Sequence, residues 1–254
     1  MINLTNKEQE ARKRVCLPLD DIHSIDDLKA RVEELSPVVG LFKIGFGSFT
    51  RYGLKAFDIA RENGSEVFLD LKYHDIPNTV KDGAAAATEI GAYMFNVHAS
   101  GGLEMMKAAK ISAEETAKEY KMRKPKIIAV TILTSIDENI MNNQLRIPGK
   151  VEEQVLHYAK MANEAGLDGI VCSAADLHAI KDKLPENFMY VNPGIQHPNT
   201  ANVGSDQKRV FTPGNAVKDG SSILVVGRAM TGYKTADERL NAGYEILQDM
   251  AKYL

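Results

Sequence analysis

Short apolar runs recur along the chain at nearly even intervals, and each is followed by a longer amphipathic stretch. The runs fall at 15–19, 41–44, 66–71, 93–97, 126–131, 169–172, 189–192 and 222–226. They show no alternation of apolar and polar positions, the pattern of strands covered on both faces. The stretches between them carry helical spacing over 24–35, 52–63, 78–90, 103–120, 151–165, 175–183, 213–219 and 237–253. Ser24-Ile25-Asp26-Asp27 reads as a capping box, and Gly64, Gly166 and Gly220 suit helix ends. Eight strand–helix pairs in 254 residues give about 32 residues per unit. That alternation predicts an α/β chain folded as one (β/α)8 TIM barrel over 1–254, with 1–14 as a short helical extension ahead of the first strand. The competing architecture is an open doubly wound sheet. The count of eight, and the lack of a GxGxxG after the first strand, favour the barrel.

Composition narrows the function classes. Apolar residues make up 44% and charged residues 26%, enough apolar content for a real core and against a disordered chain. The formal net charge of −3 argues against a dedicated nucleic-acid binder, while leaving room for a local basic pocket that takes an anionic small molecule. Cys16 and Cys172 each sit in an apolar run and lack metal-type spacing, so they read as buried thiols in a reducing cytoplasm. The charged stretch 1–14 does not resemble a signal peptide, and no run reaches the ~18 apolar residues of a membrane span. The expectation is a cytoplasmic protein without membrane or nucleic-acid partners.

A barrel directs attention to the C-terminal ends of its strands, where catalytic groups gather, and to the turns after strands seven and eight, where phosphate often binds. The first strand ends in Leu19-Asp20, the second carries Lys43, and the third ends in Asp70-Leu71-Lys72-Tyr73-His74-Asp75-Ile76-Pro77. The period of two puts Asp70 and Lys72 on one side of the strand. A lysine within an apolar strand is costly unless paired, and Asp20, Asp70 and Asp75 can pair with Lys43 and Lys72. This set reads either as a structural ion-pair network or as a catalytic cluster, and its position favours the cluster.

The later strands supply a second set. Strand seven runs into Pro193-Gly194-Ile195-Gln196 and a polar stretch through Asp206-Gln207, and strand eight ends at Gly227-Arg228. Glycine lets main-chain N–H groups approach a phosphate, and arginine offers a charged fork. The alternative is an ordinary turn with a solvated arginine. Thr131 and Ser173 follow strands five and six, positioned either to meet a heterocycle or, for Ser173, to cap a helix. His74 and His98 receive no role.

Asp70-Leu71-Lys72-Tyr73-His74-Asp75-Ile76-Pro77 resembles the DxKxxDIP signature of the orotidine 5′-monophosphate decarboxylase family. The resemblance runs from about Val15 to the last helix. It takes in Leu19-Asp20, Lys43, Asn96-Val97-His98-Ala99, Ala129-Val130-Thr131, Pro193-Gly194-Ile195, Asp206-Gln207 and Val226-Gly227-Arg228. It implies cofactor-free conversion of orotidine 5′-monophosphate to uridine 5′-monophosphate and CO₂, the last step of de novo UMP synthesis, by a homodimer. By the same match Lys43, Asp70 and Lys72 serve one site, to which Asp75, Ile76 and Thr79 come from the other subunit. Asp20 meets the ribose, Thr131 and Ser173 the pyrimidine, and Gln207, Gly227 and Arg228 the phosphate, with Pro193 and Gln196 also among the substrate-binding residues. The family often has arginine where this chain has Gln196. A neutral donor there implies weaker phosphate binding, or help from a base such as Lys208.

The chemistry suits these residues. Loss of CO₂ from C6 leaves a carbanion without an adjacent carbonyl sink, so preorganised charge has to stabilise it. The resemblance gives Lys72 the roles of stabilising cation and proton donor, with Asp70, Lys43 and Asp75 fixing it in a charged row. The segment 196–206 reads as a lid. The alternatives are a magnesium-dependent sugar-phosphate decarboxylase or aldolase on the same scaffold, and a catalytically silent phosphate-binding barrel.

Overall fold

The computed structural model describes residues 3–199 and 211–254. Among them, eight parallel strands form one closed barrel in sequence order. They are β1 (Val15–Pro18), β2 (Leu41–Gly45), β3 (Glu66–Tyr73), β4 (Met94–His98), β5 (Lys126–Val130), β6 (Gly169–Val171), β7 (Met189–Asn192) and β8 (Ile223–Val225). Closure is direct, since Val15 and Cys16 of β1 register with Leu224 and Val225 of β8. Each predicted strand is present, and the two buried thiols are where the apolar pattern put them. No helix among the described residues is long and apolar enough to cross a membrane.

Chain contacts divide the protein into two compact units, 1–70 with 192–254, and 71–191. In the first, α1 (Asn6–Arg14) is closed by a full capping box between Thr5 and Glu8. It is tied down where Arg12 donates twice to the Ser36 carbonyl at 2.9 and 2.7 Å. Of the capping box expected at the start of α2 (Ile25–Leu35), the Ser24 half forms, with Asp27 N–H donating to Ser24 Oγ at 3.0 Å. Its Leu28, Val32 and Leu35 fall at i, i+4 and i+7 and are fully buried, each contributing about 1.5–3 kcal/mol by leaving water. The long α11 (Ala236–Ala251) is fixed to α2 by a two-pronged Arg239–Glu34 pair, both contacts 2.7 Å.

The predicted helix 52–63 is α4 (Leu54–Glu62), and a further helix that was not predicted, α3 (Phe46–Tyr52), precedes it. Gly53 separates them with φ +54°, a conformation that glycine adopts without steric cost. The unit is completed by α9 (Pro213–Lys218) and by α10 (Arg228–Thr231), one turn starting at the arginine assigned to phosphate.

The second unit holds α5 (Pro77–Glu89), α6 (Leu103–Glu119), α7 (Val151–Glu164) and α8 (Ala174–Ile180). Pro77 occupies the first helical position, where its missing N–H costs nothing. The stretch between β5 and α7 contains a π-turn over Ile140–Gln144. Asn142 pins it by accepting from Gly149 N–H at 2.8 Å and donating to Gly149 O at 2.9 Å.

Candidate active site

Three of the predicted site residues meet in the first unit. The chain leaves β1 with Leu19 N–H donating to Lys43 O at 2.9 Å, while Ser48 of α3 donates its hydroxyl to Leu19 O. These bonds hold Asp20 beside the Lys43 side chain. Lys43 Nζ lies 2.8 Å from Asp70 Oδ2 and 3.2 Å from Asp20 Oδ2. The pair is deep: side-chain exposure is 12% for Lys43 and 7% for Asp70, against 50% for Asp20. Burial works against the Lys43 ammonium, but Asp70 and then Asp20 outweigh it and raise its pKa above the ordinary 10.5. Lys43 is therefore a fixed cation at neutral pH. Gly45 makes room for the cluster, since a Cβ there would stand 3.1 Å from Asp20 Oδ1 and 3.2 Å from Lys43 Nζ.

Asp20 and Lys43 line a cavity of about 800 Å³ together with Pro193, Gln196, Gly227 and Arg228. All six were expected at the strand ends, and the fold gathers them around one space. Gly194 bends the wall with φ +79°. Gln196 is set by its N–H donating to Phe211 O at 3.2 Å. Two polar side chains of the lining, His197 and Tyr233, were not foreseen. His197 is 3% exposed, its Nε2 is 3.4 Å from Glu245 Oε2, and its ring stands edge-on to Tyr233 at 5.9 Å. Both positions sit in polar turns without a local signal for the contact. Gln207, Lys208 and most of the expected lid 196–206 lie outside the described residues.

The remaining predicted residues belong to the second unit. Lys72 is half-buried within β3, with φ +48°. That left-handed value costs a non-glycine residue roughly 1–2 kcal/mol. It interrupts the strand's alternation, so the period-two argument that ties Lys72 to Asp70's side does not extend to this residue. Lys72 N–H donates to Asn96 Oδ1 of β4 at 2.8 Å. Asp75 is exposed, and its Oδ1 accepts the Ile76 N–H at 2.7 Å. Ile76 is 67% exposed ahead of Pro77, and Thr79 is exposed on the first turn of α5.

Thr131, buried after β5, donates its hydroxyl to Val171 O at 2.9 Å, leaving its oxygen as an acceptor. Ser173 caps α8: its Oγ accepts from Asp176 N–H at 3.2 Å and donates to Asp176 Oδ2 at 2.7 Å. The capping alternative for Ser173 is thus present in full. The rings of His74 and His98, unassigned from sequence, meet at a tilt of 36° with centroids 5.4 Å apart.

A closed parallel barrel with a paired lysine–aspartate set at its strand ends, and an arginine-edged cavity after strands seven and eight, is the layout of a barrel enzyme. Comparison with known proteins gives the particular family. The sequence profile of the orotidine 5′-phosphate decarboxylase / HUMPS family matches residues 13–242, and the chain belongs to this family. An orotidine 5′-phosphate decarboxylase of Moorella thermoacetica is 42% identical over 224 residues, 87% of this chain and 86% of that one. One from Syntrophus aciditrophicus is 40% identical over 251 residues, 98% of each chain. The crystal structure of orotidine 5′-phosphate decarboxylase from Lactobacillus acidophilus superposes with a TM-score of 0.80 at 33% identity, covering 93% of this chain and 98% of that one.

Proposed function

We propose that this protein decarboxylates orotidine 5′-monophosphate to uridine 5′-monophosphate in pyrimidine synthesis, as a cytoplasmic homodimer in which the whole chain serves as one catalytic domain. The observation that carries the reading is the buried Lys43–Asp70 pair at 2.8 Å, beside a cavity edged by Arg228. Family membership and the names of close relatives support it.

In this reading Arg228, Gly227 and Gln196 take the phosphate, with Gln207 beside them and Pro193 shaping the wall. Asp20 takes the ribose hydroxyls, and Thr131 and Ser173 face the pyrimidine. The C6–carboxylate bond breaks, CO₂ leaves, and the electron pair stays on C6. The Lys72 ammonium stabilises that pair and then gives its proton to C6, and solvent restores the ammonium. Asp70 lies next to the substrate carboxylate, and Lys43 holds Asp70 ionised and in place. Asp75, Ile76 and Thr79 complete the site of the other subunit. Their exposure on the protomer suits that role. The protein's own ammonium supplies both charge and proton, so the reading calls for no cofactor. Phosphate binding remote from C6 contributes energy for closing the site.

The test is the ultraviolet absorbance of orotidine 5′-monophosphate incubated with the pure protein in excess EDTA. Loss of the orotate band is the expected result. A band that persists in EDTA and disappears with added magnesium overturns the cofactor-free reading. One that persists in both overturns the decarboxylase reading, and sugar phosphates with magnesium become the substrates to try.

A further inference from the structure

We propose that Asn96 is a positioning residue for Lys72, an inference that rests on the decarboxylase reading above. Four non-glycine residues among those described have positive φ: Asp21, Lys72, Lys121 and Arg146. Three lie in bends, turns or loops, and Lys72 alone lies inside a strand. A lysine offers nothing local that favours this conformation, so the surroundings have to impose it. Asn96 does so from β4, where its Oδ1 accepts the Lys72 N–H at 2.8 Å.

The position of Asn96 is itself unusual. It is 1% exposed and stands between Phe95 and Val97, both fully buried, with Ile128 of β5 opposite it in register. An apolar side chain would fill such a place without the cost of burying an amide. The carboxamide is accounted for by the main-chain donor it captures. The neighbouring pair strengthens the clamp, because Tyr73 packs on Phe95 with ring centroids 5.9 Å apart. Two successive residues of β3 are thereby fixed by two successive residues of β4, one by a hydrogen bond and one by ring contact.

The backbone φ of Lys72 sets the direction in which Cβ leaves the main chain, and so where the ammonium can stand. Without its acceptor the peptide relaxes toward φ below zero and carries the side chain away. A displacement of about 1 Å at a reacting group costs on the order of a hundredfold in rate. Asn96 touches the main chain of Lys72 and is assigned no contact with substrate, so its loss acts on turnover and leaves ground-state binding intact.

The experiment compares wild type with Asn96→Leu in three readouts: kcat on orotidine 5′-monophosphate, affinity for uridine 5′-monophosphate, and hydrogen exchange of the Lys72 amide. The expected result is a kcat lower by about a hundredfold, uridine 5′-monophosphate affinity within about threefold of wild type, and faster exchange at Lys72. If Asn96→Leu does not fold, Asn96→Ala removes the acceptor without adding bulk and carries the same readouts. A folded variant with wild-type kcat overturns the proposal, as does a loss of affinity that matches the loss of kcat. A wild type that leaves orotidine 5′-monophosphate unchanged overturns the underlying reading instead, so the two failures are distinct.

Discussion

Asp70 and Asp168 are both largely buried carboxylates held by lysine, and they illustrate two uses of one interaction. Asp168 precedes β6 and is bracketed by Lys110 at 3.1 Å and Lys126 at 3.2 Å, while also accepting the Ile127 N–H at 3.0 Å. Burial raises its pKa, but the Ile127 N–H and the two lysines outweigh that and hold it below the usual carboxylate range. Its neighbours are main chain and structural lysines, at the strand end where barrels keep their stabilising contacts. Asp70 lies toward the C-terminal end of β3. Its partner Lys43 also holds Asp20, and Lys43 and Asp20 face a cavity. A carboxylate saturated by fixed groups holds a fold together. One whose partner lines an open space has work left for a ligand. Which end of the strand carries the pair separates the two cases better than burial or distance does.

Four substitutions or conditions sharpen this contrast. The largest effect is expected for Lys72→Ala, which removes the proposed cation and proton donor. Turnover falls by about a thousandfold or more while uridine 5′-monophosphate still binds, and single-turnover kinetics check it. A variant near the wild-type rate removes Lys72 from the mechanism. Arg228→Ala is expected to raise KM by about 10- to 100-fold with a smaller change in kcat, the cost of one charged contact to phosphate. An unchanged dependence on substrate concentration refutes that role.

Asp168→Asn tests the other member of the comparison. It leaves two lysines without their shared anion and is expected to cost about 2 kcal/mol. That is below the value for a fully buried pair, since Lys126 is 44% exposed. Thermal unfolding should move down by roughly 4–8 °C with kcat unchanged.

The smallest effect concerns pH. The folded pKa of Lys43 lies above its unfolded 10.5, so its contribution to stability is complete below 10.5 and is lost as pH rises through the folded value. Melting temperatures taken across that alkaline range should fall more steeply in wild type than in Lys43→Met. Parallel curves contradict the assignment.

The strands were legible because a strand buried on both faces has to be an apolar run, and each of the eight runs is one. Caps were legible where a side chain closes its own helix, as at Ser24 and Ser173. What escaped depended on contacts made at a distance. Gly45 and Gly47 together with Thr50 weaken the local signal for α3, whose Ser48 is held by Leu19 O. The left-handed turn at Lys72 is imposed by an asparagine 24 residues later in sequence. His197 and Tyr233 meet across two separate loops. Of the site, the residue types and their strand ends could be read. The hydrogen bonds that aim them could not, because no local pattern encodes a partner on a neighbouring strand.

The central claim, that the Lys43–Asp70 pair serves chemistry while the Asp168 cluster serves the fold, meets its most direct test in one paired assay. Asp70→Asn and Asp168→Asn are incubated side by side with saturating orotidine 5′-monophosphate in EDTA, and loss of the orotate band is followed. The account predicts bleaching at the wild-type rate by Asp168→Asn and a rate lower by at least about a hundredfold for Asp70→Asn. Equal rates in the two variants would contradict it.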